Sequence, residues 1–164
     1  MSLPTVVKKA VQLITVDAEK AYSNDEKDKW SYIRDEAEEL LKSNGYTYEG
    51  SGDYRMVYSY PNKNKVVKIP KLPIGQKENQ SECENWDNAP SDIKNQLAEI
   101  YDADWNGKWL IQEYIPIESC SKSEAKKLSN KLKNNNVYIA EIDVWNVGKR
   151  NDGTVVAFDY AGNY

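Results

Sequence analysis

Histidine is absent from this chain. Its absence excludes Ser-His-Asp and Cys-His catalysis, an imidazole general base and His-ligated zinc. Cysteine is scarce: Cys83 and Cys120 stand far apart with no metal or redox spacing around either. They read as two free thiols in a reducing compartment. Phenylalanine occurs once, so the aromatic content rests on 12 Tyr and 5 Trp, side chains that pack with one polar edge kept wet. No apolar run approaches the roughly 20 residues that span a bilayer, and no charged-then-apolar leader opens the chain. The expectation is a cytoplasmic protein without a membrane partner. A net charge of −4 gives no general attraction to nucleic acid. Internal repeats and low-complexity linkers are also missing. Any chemistry must run on carboxylates, Lys, Tyr, amides or a bound cation.

What is present suits one α+β domain. The 164 residues, 40% hydrophobic and 29% charged, are enough to bury roughly 70% of the unfolded surface. Residues 1–45 read as a helical segment packed on the rest. Val6, Val7, Ala10, Val11, Leu13 and Ile14 recur at helical spacing within 4–22. A second helix over 26–43, capped by Asn24 or Asp25 and stopped by Asn44-Gly45, aligns Trp30, Ile33, Ala37, Leu40 and Leu41. Residues 46–164 read as a separate functional unit. From Tyr46 the period drops to two: strand, a turn with Gly50 and Gly52, strand, then a third strand over 65–70. The two glycines permit close backbone approach, which lets N–H groups cradle phosphate oxygens. Lys68 alternates against Val67 and Ile69. If buried, its ammonium needs a counter-charge, and the following helix offers Glu78, Glu82 and Glu84; Glu82 shares a face with Trp86 and Ala89 and is the choice, but Glu78 lies on that face too. Pro90 opens a short helix through Leu97. Asn106-Gly107 turns a hairpin whose second strand runs 108–115. Ser121-Lys-Ser-Glu124 is a capping box for a helix to about Lys133.

The last stretch carries the chemistry. Asn151-Asp152-Gly153 is a hairpin turn, and it brings Asn146 back beside Asp159. An amide oxygen and a carboxylate side by side form a hard-oxygen pair suited to Mg²⁺.

The order of these features resembles the protein-kinase-like fold. Glu141, four residues, then Asn146, then Asp159 thirteen positions on is similar to that family's catalytic loop and metal-binding Asp. Gly50-x-Gly52 followed by Arg55 and Val57 resembles the glycine-rich loop, with Arg55 in the third glycine's place. Lys68, 18 positions after Gly50, stands where the family keeps its phosphate-pairing Lys. The resemblance covers about residues 46–162. It implies an antiparallel N-lobe sheet with helices, plus a minimal C-lobe remnant of capped helix, catalytic loop and β-hairpin. It also implies ATP and Mg²⁺ as cofactors. Gly50, Gly52 and Val57 would cover the nucleotide, Lys68 would pair with Glu82, and backbone groups of Glu113 and Ile115 would meet the adenine edge. Asn146 and Asp159 would hold the metal, and Glu141 or Asp143 would be the base. Two departures matter. Glu replaces Asp at the base position, and the family's activation segment and helical substrate platform have no counterpart in these residues. Two functions follow: an atypical phosphotransferase acting on a hydroxyl acceptor, or a pseudokinase-type module whose output is a protein–protein interaction. A partner protein would supply the missing platform.

Overall fold

In the computed structural model, which describes residues 3–117, 119–137 and 143–161, the chain begins as a helical hairpin. α1 (Thr5–Gln12) passes through a π-helical segment (Leu13–Ala18) into α2 (Glu19–Ser23). The single helix expected over 4–22 is therefore one rod with a widened middle. Inside it Thr15 donates its hydroxyl to the Val11 carbonyl at 2.8 Å, a back-bond that bends helices. α3 is Lys27–Ser43. The expected cap at Asn24 or Asp25 is corrected: Glu26 is the N-cap and makes no side-chain cap bond, while Asp25 takes φ 58° to turn the chain. Asp is among the few residues that tolerate that left-handed region.

Five strands follow: β1 (Thr47–Ser51), β2 (Arg55–Ser59), β3 (Lys65–Pro70), β4 (Ile100–Ala103) and β5 (Leu110–Glu113). All pair antiparallel in the order β1-β2-β3-β5-β4. Alternation splits β3 between two faces. Val67 and Ile69 join Tyr58 and Ile111 against Val7, Ile14, Ala37 and Leu41 of the helices, so residues 3–45 and the sheet share one core. Val66 and Lys68 face the other way.

α4 (Pro73–Asn88) starts with Pro at its first turn, where a missing N–H costs nothing. It ends at Ala89, extended at ψ 134° because a residue before proline is pushed out of the helical region. α5 is only Ser91–Lys94, with Pro90 as its N-cap. It is shorter than the helix expected through Leu97, because the backbone there pairs elsewhere. Ala157 N–H donates to Gln96 O at 2.9 Å, and Ala98 N–H donates to Ala157 O at 2.8 Å. α6 (Lys122–Asn134) carries the reciprocal Ser121–Glu124 capping box. β6 (Val147–Lys149) and β7 (Val155–Ala157) close as a hairpin whose turn glycine, Gly153, has φ 86°. Ile93, Leu97, Leu128, Leu132, Val147 and Val156 make a second core. A cleft lies between the open face of the sheet and this hairpin. No helix among the described residues is long and apolar enough to cross a membrane.

Candidate functional site

The cleft has a volume of about 530 Å³ and is lined from both sides. From the sheet come Gly50, Gly52, Arg55, Val57, Val66 and Lys68; from the segment after β5 come Glu113 and Ile115; from the hairpin come Asn146, Phe158 and Asp159. Gly50 sits at a bulge in the β1–β2 pairing with φ 153° and open space above it. Lys71 donates to Gly52 O at 2.7 Å and fixes the turn.

Lys68 is buried, 3% exposed. Its ammonium donates to Glu82 Oε2 at 2.8 Å, to Glu82 Oε1 at 3.0 Å and to Phe158 O at 2.5 Å. Three N–H groups thus meet three acceptors. Glu82, fully buried on α4, is the acid that pairs with Lys68; Glu78 instead meets Arg55. Burial pushes the Lys68 pKa down and the Glu82 pKa up, each toward its neutral form. Their mutual contact opposes both shifts, while Arg55, on the other side of Glu82, opposes the rise on Glu82 and adds to the fall on Lys68.

Arg55 is the residue that the glycine-loop pattern does not anticipate. It points inward and is 5% exposed. Its Nε is 2.9 Å from Glu78 Oε2, and its Nη1 donates to Asn79 Oδ1 at 3.0 Å. Its Nη2 is 2.8 Å from Glu82 Oε1 and 2.6 Å from Asp159 Oδ1. Burial alone would favour loss of its proton, but Glu82, Asp159 and Glu78 outweigh that and raise its pKa. Burial likewise opposes the charge on Asp159, and Arg55 and Lys68 reverse the balance, leaving its carboxyl below the usual carboxylate range. Period-two alternation in β2 puts Arg55 on the face of Val57, so its inward direction was available in the sequence. Its partners were not.

Asn146 and Asp159 line the same cleft, joined through the hairpin by Phe158 N–H donating to Asn146 O at 2.9 Å. One oxygen of each is engaged. Asn146 Oδ1 accepts from Asp143 N–H at 2.8 Å, and Asp159 Oδ1 carries the Arg55 guanidinium. Among the described residues no group of three or more His, Cys, Asp or Glu stands ready for a metal ion. A divalent cation at this pair would have to compete with the Arg55 guanidinium for the Asp159 carboxylate. Asp143 accepts from Val144 N–H at 2.7 Å and is not among the cleft residues. Glu141 lies outside the described residues.

Three further residues, given no role in the site from the sequence, shape it. Gln112 forms the rear wall, fully buried, and its Oε1 has no hydrogen-bond partner. Tyr160 is buried in the second core and donates to Ala98 O at 2.8 Å, while Asn85 donates to Tyr160 O at 2.8 Å. Arg150 clamps the Glu113 carboxylate with Nε and Nη2, each at 2.7 Å, and also reaches Leu97 O. These links hold the hairpin under the sheet.

No family model matches this chain, and no curated protein matches it. Among solved structures, the ternary complex of streptomycin, ATP and APH(2″)-IIa is similar over 61% of this chain at 26% identity and a TM-score of 0.36. The match spans 34% of that chain, about a third of its length. A superposition this loose fixes neither family nor activity.

Proposed function

We propose that this chain is a kinase-like nucleotide-binding domain, with the base in the slot between Val57 and Val66 on one side and Ile115 and Phe158 on the other. The observation that carries the reading is the buried Lys68–Glu82 pair beneath a glycine turn, at the rear of a two-sided cleft. A buried ion pair is a poor route to stability. A pair at a cleft wall instead suits recognition of a polar ligand. Glu113 and Ile115 line the cleft where a base edge would lie.

Between the two outputs, binding is better supported than phosphoryl transfer. Arg55 is on the carboxylate that a transfer site would need for its metal, and Asp143, one of the two acceptor-side acids, is not among the cleft residues. The output is then an interaction with a protein partner that responds to the occupied cleft. Transfer to a hydroxyl acceptor, with Glu141 or Asp143 as base and Mg²⁺ on Asn146 and Asp159, is the second reading; it requires Arg55 to leave Asp159.

Thermal denaturation with a panel of nucleosides and nucleotides tests the proposal. A ligand at one hundred times its Kd adds about 2.7 kcal/mol of stability. The expected result is stabilisation by adenine compounds that is abolished in Val57→Trp, where the ring fills the slot. No stabilisation by any nucleoside or nucleotide contradicts it.

A further inference from the structure

Arg55 and Gln112 together say which kind of ligand the cleft accepts. A guanidinium presents five N–H groups on three nitrogens, and here all three nitrogens contact acceptors belonging to Glu78, Asn79, Glu82 and Asp159. Lys68 is committed to Glu82 and Phe158 O. Lys68 has no donor left to offer a phosphate in this arrangement, and Arg55, with five N–H groups against four acceptors, keeps one on Nη1. The remaining wall is acidic: Glu49, Asp53, Glu78, Glu113 and Asp159 line the cleft against Arg55 and Lys68. With Glu113 neutralised by Arg150, four carboxylates against two cations disfavour a polyphosphate that arrives without a metal. Arg55 Nη2 stands 2.6 Å from Asp159 Oδ1 and competes with any metal for that oxygen. At the rear wall the pull is of the opposite kind. Gln112 Oε1 is a buried acceptor without a partner, and such an atom costs free energy until an N–H reaches it.

We infer that the cleft takes an amine-bearing nucleoside or heterocycle, without a polyphosphate and without a divalent ion, Arg55 standing as a tethered cation in the metal's place. The ligand's amine donates to Gln112 Oε1, and its apolar faces lie against Val57, Val66 and Phe158. This rests on the nucleotide-cleft reading and narrows it. Arg55 is a specificity-determining residue: seated on Asp159, it removes the metal-bridged route by which a triphosphate would be held.

Calorimetric titration of the whole chain with adenosine, purine riboside and ATP, each in EDTA and in Mg²⁺, tests it. For the wild type, adenosine binds at least as tightly as ATP, and Mg²⁺ changes ATP affinity by less than about twofold, far below an ordinary coupling of ~5–150-fold. Purine riboside, which lacks the exocyclic amine, binds roughly tenfold more weakly than adenosine, the cost of leaving Gln112 Oε1 unmet. In Arg55→Ala, or in Arg55→Met, which keeps more of the buried volume, Mg²⁺ strengthens ATP binding by roughly tenfold or more. Wild-type ATP binding that is tight and needs Mg²⁺ overturns the inference while leaving the nucleotide cleft intact. Equal affinity for purine riboside and adenosine overturns the role of Gln112. Failure of every compound to bind overturns the cleft reading and this one with it. The wild-type titrations decide even if neither variant folds.

Discussion

The two walls of the cleft are built differently. The sheet wall is long, antiparallel and backed by α1 and α3, and its two cations are buried and paired: Arg55 is 5% exposed, Lys68 3%, and Glu82 behind them fully covered. The hairpin wall has strands of three residues each. Its Asp159 side chain is 49% exposed, and Trp145 at its rim is largely exposed. The difference separates frame from adjustable part. The sheet holds a charge cluster in place, and the hairpin is fastened to it by Arg55 on Asp159 and Lys68 on Phe158 O, and to α4 by Asn85 on Tyr160 O. A ligand between the walls must work with or against those fastenings.

The largest expected effect comes from removing the acid shared by both cations. Glu82→Ala leaves Arg55 and Lys68 buried beside a missing counter-charge and costs roughly 3–5 kcal/mol in urea denaturation; a cost within experimental error would mean that the cluster is solvated rather than buried. Next, Leu41→Ala on the sheet side and Leu132→Ala on the hairpin side each remove a fully buried side chain and cost roughly 2–5 kcal/mol. Because the fastenings couple the two cores, both variants lower one common transition, with tryptophan fluorescence and far-UV circular dichroism coincident. Two separated transitions would break the picture of a hairpin tied to a frame.

How much of this was legible in the sequence differs between the walls in the same way. The glycine turn, the Lys68 strand, the Asn106-Gly107 hairpin and the Ser121 capping box are local signals, written in period and turn chemistry, and the elements formed there. Helical steps from Trp86 and Ala89 put Glu82 on the inner face of α4, but Glu78 shares that face, and only the contacts assign Glu82 to Lys68 and Glu78 to Arg55. What stayed hidden depends on contacts distant in sequence. Arg55 meets Asp159 across 104 positions, and nothing local announces that a guanidinium rests on that carboxylate. Pairing of Gln96 and Ala98 with Ala157 shortened α5 in the same manner. The widened turn over Leu13–Ala18 also had no signature beyond the buried Thr15.

Two smaller effects sharpen the comparison. Tyr160→Phe keeps the packing and deletes the hydrogen bond to Ala98 O, costing about 1 kcal/mol by urea denaturation; an unchanged stability would assign the anchoring to the ring alone. The last concerns pH. The Asp159 carboxyl is depressed in the folded state, since Arg55 and Lys68 outweigh its burial. Its contribution is therefore complete above the unfolded value of about 3.9 and fades as pH falls through the lower folded value. Melting temperatures of wild type and Asp159→Asn should keep a constant difference from neutrality down to about pH 4 and converge only below it. Convergence near neutral pH would show a carboxyl with a raised pKa instead.

The central claim is that a ligand lies between these two walls. Amide chemical-shift mapping during an adenosine titration tests it most directly. The account predicts saturable shifts concentrated at Gly50, Gly52, Val57, Lys68, Gln112, Ile115 and Phe158, from both walls at once. Shifts confined to one wall, or gathered on the outer faces of α3 and α6, would contradict it.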